Sequence, residues 1–262
     1  MKLKYIDKTH AYYLDGKRCR SVTGIAGLPD DKYGLEQWKQ RQVAIGLAMK
    51  PHLVESVAAH HDNKAKVNDL CALAMTAAGS SQEAEFGTAA HRVTERLDAG
   101  EDIIPTPLSA IIADAWPKVL AKAKLRVVRD FIEALIVYPQ QKLCGRLDRF
   151  VDDGEGLAVA DLKTGESVVN YPHSVATQMA LYANAPLLAR LPNKGDSETE
   201  TFEQLPANLR KDVGYMIHMP RAGEAAVYAV DLIKGWDCVE NIIFPSLGWR
   251  AVAPTKLLKR VA

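Results

Sequence analysis

Apolar positions recur along this chain with two periods, and the change of period divides it. In residues 34–49 and 52–78, Ala, Leu, Ile, Val and Met return every three or four positions among Lys, Gln and Glu, the spacing of amphipathic helices. Gly79-Ser80-Ser81 interrupts that pattern, and Ser81, followed by Gln82 and Glu83, suits the N-cap of a helix over about 83–98 that stops at Gly100. Residues 107–124 continue the helical period, with a break expected near Pro117. From Leu125 onward short strand-like runs take over, at 125–129, 132–137, 143–151 and 156–162, the last two joined by Asp152-Asp153-Gly154-Glu155. Residues 174–191 return to helical spacing, 193–206 are polar and read as a loop, and 213–219 with 225–232 form a final hairpin. The opening, residues 1–28, is β-rich, with Asp15-Gly16 between two strand-like runs as a hairpin signal.

The fold class these elements imply is α/β, a central mixed, mostly antiparallel sheet flanked by helices. The 262 residues fit one domain, with a hairpin and helical region at 1–82 and a core at 83–262. Hydrophobic residues at 48% and charged residues at 25% are ordinary for a globular chain. No apolar run reaches membrane-spanning length, and Met1 to Lys8 lacks the apolar core of a signal peptide, so no membrane association and a cytoplasmic location are expected. A net charge of +1 leaves nucleic acid open as a partner, because a neutral protein can carry a basic stripe beside an acidic site. Cys19, Cys71, Cys144 and Cys238 show no close spacing, which gives no support to a zinc ribbon and makes an iron–sulfur cluster unexpected.

The candidate chemistry lies in the runs 143–151 and 156–163. Read as one hairpin turning near Gly154, they set Asp148 directly opposite Asp161. Two carboxylates that close repel unless a cation neutralises them, and hard ions such as Mg2+ or Mn2+ suit carboxylate oxygens. Lys163, two residues beyond Asp161, points to the same face. Such a set fits metal-assisted hydrolysis of a phosphodiester, with the lysine orienting or deprotonating the attacking water or stabilising charge at phosphorus. The alternative is a surface hairpin bearing ordinary charges.

Four segments, in order, complete a pattern. Gly145-Arg146-Leu147-Asp148, Asp161-Leu162-Lys163-Thr164 and Gln178-Met179-Ala180-Leu181-Tyr182, preceded by Gly87-Thr88-Ala89-Ala90-His91, resemble the PD-(D/E)xK nuclease superfamily and, within it, the RecB-like exonuclease branch. The Tyr12 to Ile25 stretch also resembles the start of phage-encoded members. The resemblance implies a restriction-endonuclease-like core and a Mg2+- or Mn2+-dependent deoxyribonuclease. It implies His91, Asp148, Asp161 and the Leu162 carbonyl as metal ligands and Lys163 as the catalytic lysine. Gln178 and Tyr182 would position the catalytic groups, and Glu133 would meet a second metal or touch the first through water. Leu147 stands where the superfamily name has proline.

Glu95, one turn beyond His91, is a candidate support for the site. Lys118, Lys122, Lys124 and Arg126 form a basic stretch, and with Thr164 they are the candidate DNA contacts. Arg250, Lys256, Lys259 and Arg260 make a second basic group. The expected function is an exonuclease of DNA recombination, repair or phage DNA metabolism, acting on single- or double-stranded DNA through metal-activated water. A single-strand annealing or recombination protein is the candidate partner. The competing readings are a site-specific endonuclease of restriction or repair type, and a catalytically inactive DNA-binding accessory module.

Overall fold

The computed structural model describes residues 1–167, 172–192, 195–253 and 256. The chain opens with strands β1 (Leu3–Ile6), β2 (Ala11–Leu14), β3 (Lys17–Arg18) and β4 (Arg20–Ser21), then helix α1 (Val22–Ala26). The β2–β3 turn uses Asp15 and Gly16, both at positive φ (48° and 74°), the backbone that an Asp-Gly pair favours in a two-residue hairpin. Residues 31–90 form a separate compact unit. Its helices α2 (Tyr33–Met49), α3 (Pro51–Ala59) and α4 (Lys64–Ala77) close on Leu53, Leu70 and Ala74. Gly46 lets α2 cross α4 at backbone distance, since a Cβ there would lie 1.8 Å from the Ala74 carbonyl oxygen. The apolar run 52–78 is two helices because Asn63 caps α4, its side chain accepting from the Lys66 N–H at 3.1 Å.

Residues 1–30 and 91–262 form the other unit. After α5 (Ser81–Ala99) and α6 (Pro107–Lys122) come β5 (Arg126–Val128), β6 (Leu135–Tyr138), β7 (Leu143–Arg146), β8 (Arg149–Asp152) and β9 (Leu157–Lys163). Helix α7 (Pro172–Ala183), β10 (Leu187–Ala189), β11 (Ser197–Thr199), β12 (Val213–His218) and β13 (Ala226–Asp231) follow, and α8 (Leu232–Cys238) runs through a π turn into α9 (Phe244–Arg250). Among the described residues the strands make three sheets, ordered β11-β1-β2-β3, β10-β6-β7-β4 and β13-β12-β9-β8-β5. The class is α/β as expected. The five-stranded sheet is mixed, β9 pairing antiparallel with β8 and parallel with β12. Phe150, Val159, Met179 and Leu181 are fully buried in its core, each contributing about 1.5–3 kcal/mol through removal from water.

Several elements depart from the pattern-based reading. The run 143–151 is two strands: β7 pairs with β6 in one sheet and β8 with β9 in another, with Leu147-Asp148 at the crossing. The register expected for β8 and β9 holds, Arg149 facing Ala160 and Phe150 facing Val159. Helix α6 continues through Pro117, while Ile132 to Ala134 lie outside β6. Helix α7 ends at Ala183 because Pro186 disfavours helical backbone just before it, and Leu187–Ala189 pairs with β6. The segment 193–206, read as loop, includes β11; of it, residues 193 and 194 lie outside the described residues.

Candidate active site

The crossing between the two sheets places Asp148 where a strand would otherwise continue. With Arg149 paired to Ala160, Asp148 lies just beyond the last pair of the β8–β9 ladder, beside Asp161 and Leu162. Its Oδ2 accepts the Leu162 N–H at 2.8 Å. Within one extended residue N–H and C=O face the same edge, so the Leu162 carbonyl opens toward Asp148 as well. Helix α5 supplies the opposite wall. His91, Thr94, Glu95 and Asp98 fall three or four residues apart on one helical face. The His91 Nδ1 stands 3.5 Å from the Asp148 Oδ2.

Lys163 and Asp161 share a face of β9, and the Lys163 ammonium lies 2.6 Å from the Asp161 Oδ2. Asp161 is only 3% exposed and Lys163 35%. Gln178 reaches in from α7: its Nε2 donates to the Asp161 Oδ1 at 3.2 Å and to the Tyr182 hydroxyl at 3.0 Å, while its Oε1 accepts from Lys163 at 3.4 Å. Tyr182 then donates to the Arg146 carbonyl at 3.0 Å. Gly145 makes room for that ring, because a Cβ there would sit 2.9 Å from the Tyr182 Cε1. One hydrogen-bonded chain therefore ties the Gly-x-x-Asp segment, the lysine strand and α7 together.

The electrostatics are those of a starved anionic site. Burial pushes the Asp161 carboxyl up, the neighbouring Asp148 adds to this, and Lys163 opposes it. Burial would raise Asp148 too, but the His91 ring, the Arg149 guanidinium, the Leu162 N–H and Lys163 outweigh it and hold that carboxyl low. Burial works against the Lys163 charge, yet Asp161 and Asp148 keep its ammonium above the ordinary lysine value. Beside Asp148 lies a second acidic pair. Glu133 has left-handed backbone (φ 59°), its N–H donates to the Asp148 carbonyl at 3.0 Å, and its carboxylate is ion-paired with Arg146. Burial, with Glu95 next to it, pushes Glu133 up to about 9.

The donor types fit a hard divalent cation: two shielded carboxylates, an imidazole and a free-edged carbonyl. The Asp161 Oδ2 accepts no hydrogen bond of good geometry among the described residues and faces only the Lys163 ammonium. Among the described residues no three His, Cys, Asp or Glu side chains are already drawn together as a ready ligand set.

His91, Asp148, Asp161, Leu162, Lys163, Gln178, Tyr182, Glu133 and Glu95 thus converge in one place. The basic stretch does not join them. Lys118 pairs with Asp114 at 2.6 Å, Lys122 with Glu224 at 3.0 Å and Arg126 with Asp152 at 2.8 Å, all on exposed surface, and Lys124 follows the end of α6. Thr164 directly follows β9. Arg250 and Lys256 lie near the C-terminal end of the described chain, and Lys259 and Arg260 lie outside the described residues.

Two contributors escaped the sequence reading. Arg149 is fully buried behind Asp148. His218, across from Lys163 on β12, holds the Gly165 carbonyl at 2.6 Å from its Nε2 and so fixes the turn after the lysine. Neither had a signal in the local pattern: β8 reads Arg149-Phe150-Val151-Asp152, charged at both ends.

Paired shielded carboxylates and a lysine at the end of the β8–β9 ladder are the kinds of group that metal-assisted phosphodiester hydrolysis uses. A family profile of the PD-(D/E)XK nuclease superfamily matches residues 64–211, more than half of the chain and the segment from His91 to Tyr182. The chain belongs to the PD-(D/E)XK nuclease superfamily, which makes it a nuclease hydrolase acting on DNA, of a kind that typically uses divalent metal ions such as Mg2+. No curated protein matches it. No helix among the described residues is long and apolar enough to cross a membrane.

Proposed function

We propose that the protein is a Mg2+- or Mn2+-dependent DNA exonuclease of the RecB-like type, working in recombination, repair or phage DNA metabolism. The observation that carries this reading is the closed chain from Asp148 through Leu162, Asp161, Lys163, Gln178 and Tyr182 back to Arg146. His91, Asp148, Asp161 and the Leu162 carbonyl would hold the divalent ion. When bound, that ion lowers the pKa of water and stabilises charge on the leaving oxygen. Lys163 then orients the attacking water against the phosphorus and balances negative charge developing on the phosphoryl oxygens. Gln178 keeps both the Asp161 carboxylate and the Lys163 ammonium in place, and Tyr182 fixes Gln178. Thr164 would touch the phosphate backbone, and Lys118, Lys122, Lys124 and Arg126 would steer the strand rather than bind at the scissile bond.

The test is cleavage of 5′- and 3′-labelled single- and double-stranded DNA with Mg2+ or Mn2+, beside covalently closed circles. Release of mononucleotides from ends, with circles untouched, is expected. Cutting of circles would replace this reading with an endonuclease, and metal-independent silence with the inactive binding module.

A further inference from the structure

Arg149 is 0% exposed, on a strand whose neighbours Phe150 and Val151 are equally buried. Its Nη1 lies 3.1 Å from the Asp98 Oδ2, and its guanidinium stacks 4.5 Å from the centre of the Trp116 ring. Trp116 in turn donates its Nε1–H to the other Asp98 oxygen at 2.7 Å. The Arg149 Nη2 donates to the Thr94 hydroxyl at 3.2 Å, and that hydroxyl donates to the His91 carbonyl at 3.1 Å. The Arg149 Nε–H donates to no acceptor among the described residues, so the group is not even fully satisfied.

A buried ion pair is a poor way to make a core stable. Its desolvation rivals its attraction, and apolar residues of the same volume usually serve better. What a forked, buried guanidinium does supply is fixed geometry. Here it lies next in sequence to Asp148 and reaches the helix that carries His91. Nothing else described ties β8 to this face of α5 with polar contacts of comparable burial.

We infer that Arg149 is a positioning residue: through Thr94 and Asp98 it clamps α5 to β8, so that the His91 imidazole and the Asp148 carboxylate are held facing each other before a metal arrives. This rests on the reading of those two groups as metal ligands. Arg149 touches neither metal nor DNA. Its effect is to spare the ion the work of ordering its own ligands, and outer partners of this kind are commonly worth 10- to 100-fold in metal affinity.

The test uses the full chain, without DNA, and reads Mn2+ binding by calorimetry together with the melting temperature of the metal-free protein. Thr94→Val keeps shape and the Asp98–Arg149 pair but removes the hydroxyl link. Thr94→Ser restores it, and Arg149→Lys keeps charge but loses the fork. The expected result is a Mn2+ affinity lowered roughly 10- to 100-fold in Thr94→Val and Arg149→Lys, and within about threefold of wild type in Thr94→Ser. Wild-type affinity in folded Thr94→Val and Arg149→Lys proteins, whatever their melting temperatures, overturns the inference and leaves the metal site standing. Absence of Mn2+ binding by the wild-type protein overturns the metal site and the inference with it.

Discussion

Arg146 and Arg149 flank Leu147-Asp148 in the same short segment, yet they live in opposite surroundings. Arg149 is sealed, with an acid, a hydroxyl and an indole ring around it. Arg146 is 28% exposed, ion-paired with Glu133 and, at 3.3 Å, with Asp7, and stacked 5.3 Å over the Tyr5 ring. Its chief partner Glu133 sits on left-handed backbone, a conformation that costs a non-glycine residue energy and gathers at functional sites. The same side chain thus serves as a sealed brace behind Asp148 and as a part-exposed ion-pair partner beside it. What surrounds each arginine, not its charge, sets its role beside Asp148.

Removing the acid on each side breaks this comparison most sharply. Asp98→Ala leaves a buried guanidinium without its counter-ion and is expected to cost about 3–5 kcal/mol of stability in urea unfolding. Glu133→Ala leaves Arg146 with Asp7 and water, and about 1.5–3 kcal/mol is expected. Equal losses would erase the distinction. Gly145→Ala, which pushes a methyl group against Val22 and Tyr182, is expected to cost about 1–3 kcal/mol and to lower cleavage by displacing the Tyr182–Gln178 link.

Glu133, the partner of Arg146, also predicts a pH dependence. Glu133 is raised from its ordinary 4.5 to about 9, so between those values the folded protein holds a proton that the unfolded chain has lost. Stability from this source is complete below about pH 4.5 and falls as pH rises toward 9. Glu133→Gln should flatten the decline in the metal-free melting temperature between pH 5 and 9. An unchanged slope would place that proton elsewhere. At the small end, Arg126→Ala removes an exposed pair with Asp152 and should change stability by less than about 1 kcal/mol.

The legible part of the molecule was local. The Asp-Gly turn at 15–16, the β12–β13 hairpin and the β8–β9 register all follow from short-range rules, and the register alone put Asp148 and Asp161 together. The break between β7 and β8 was invisible because alternation reports which face a residue takes, not which neighbour its strand pairs with. Glu133 reads as a strand residue, but its backbone turns left-handed to meet the Asp148 carbonyl. Arg149 was hidden for a related reason: its counter-ion Asp98 comes from a distant helix, and no local pattern announces such a pairing. The C-terminal α8 and α9 are short and joined by a π turn, which blurs the helical period.

The most direct measurement is single-turnover cleavage of labelled DNA at saturating Mg2+ or Mn2+ by wild-type and Lys163→Ala proteins, with circular dichroism run on both. The account predicts an unchanged fold and a rate lowered on the order of 10²–10⁴-fold, the range of a lost proton-transfer or charge-stabilising group. A folded Lys163→Ala protein that cuts within a few-fold of wild type would contradict it.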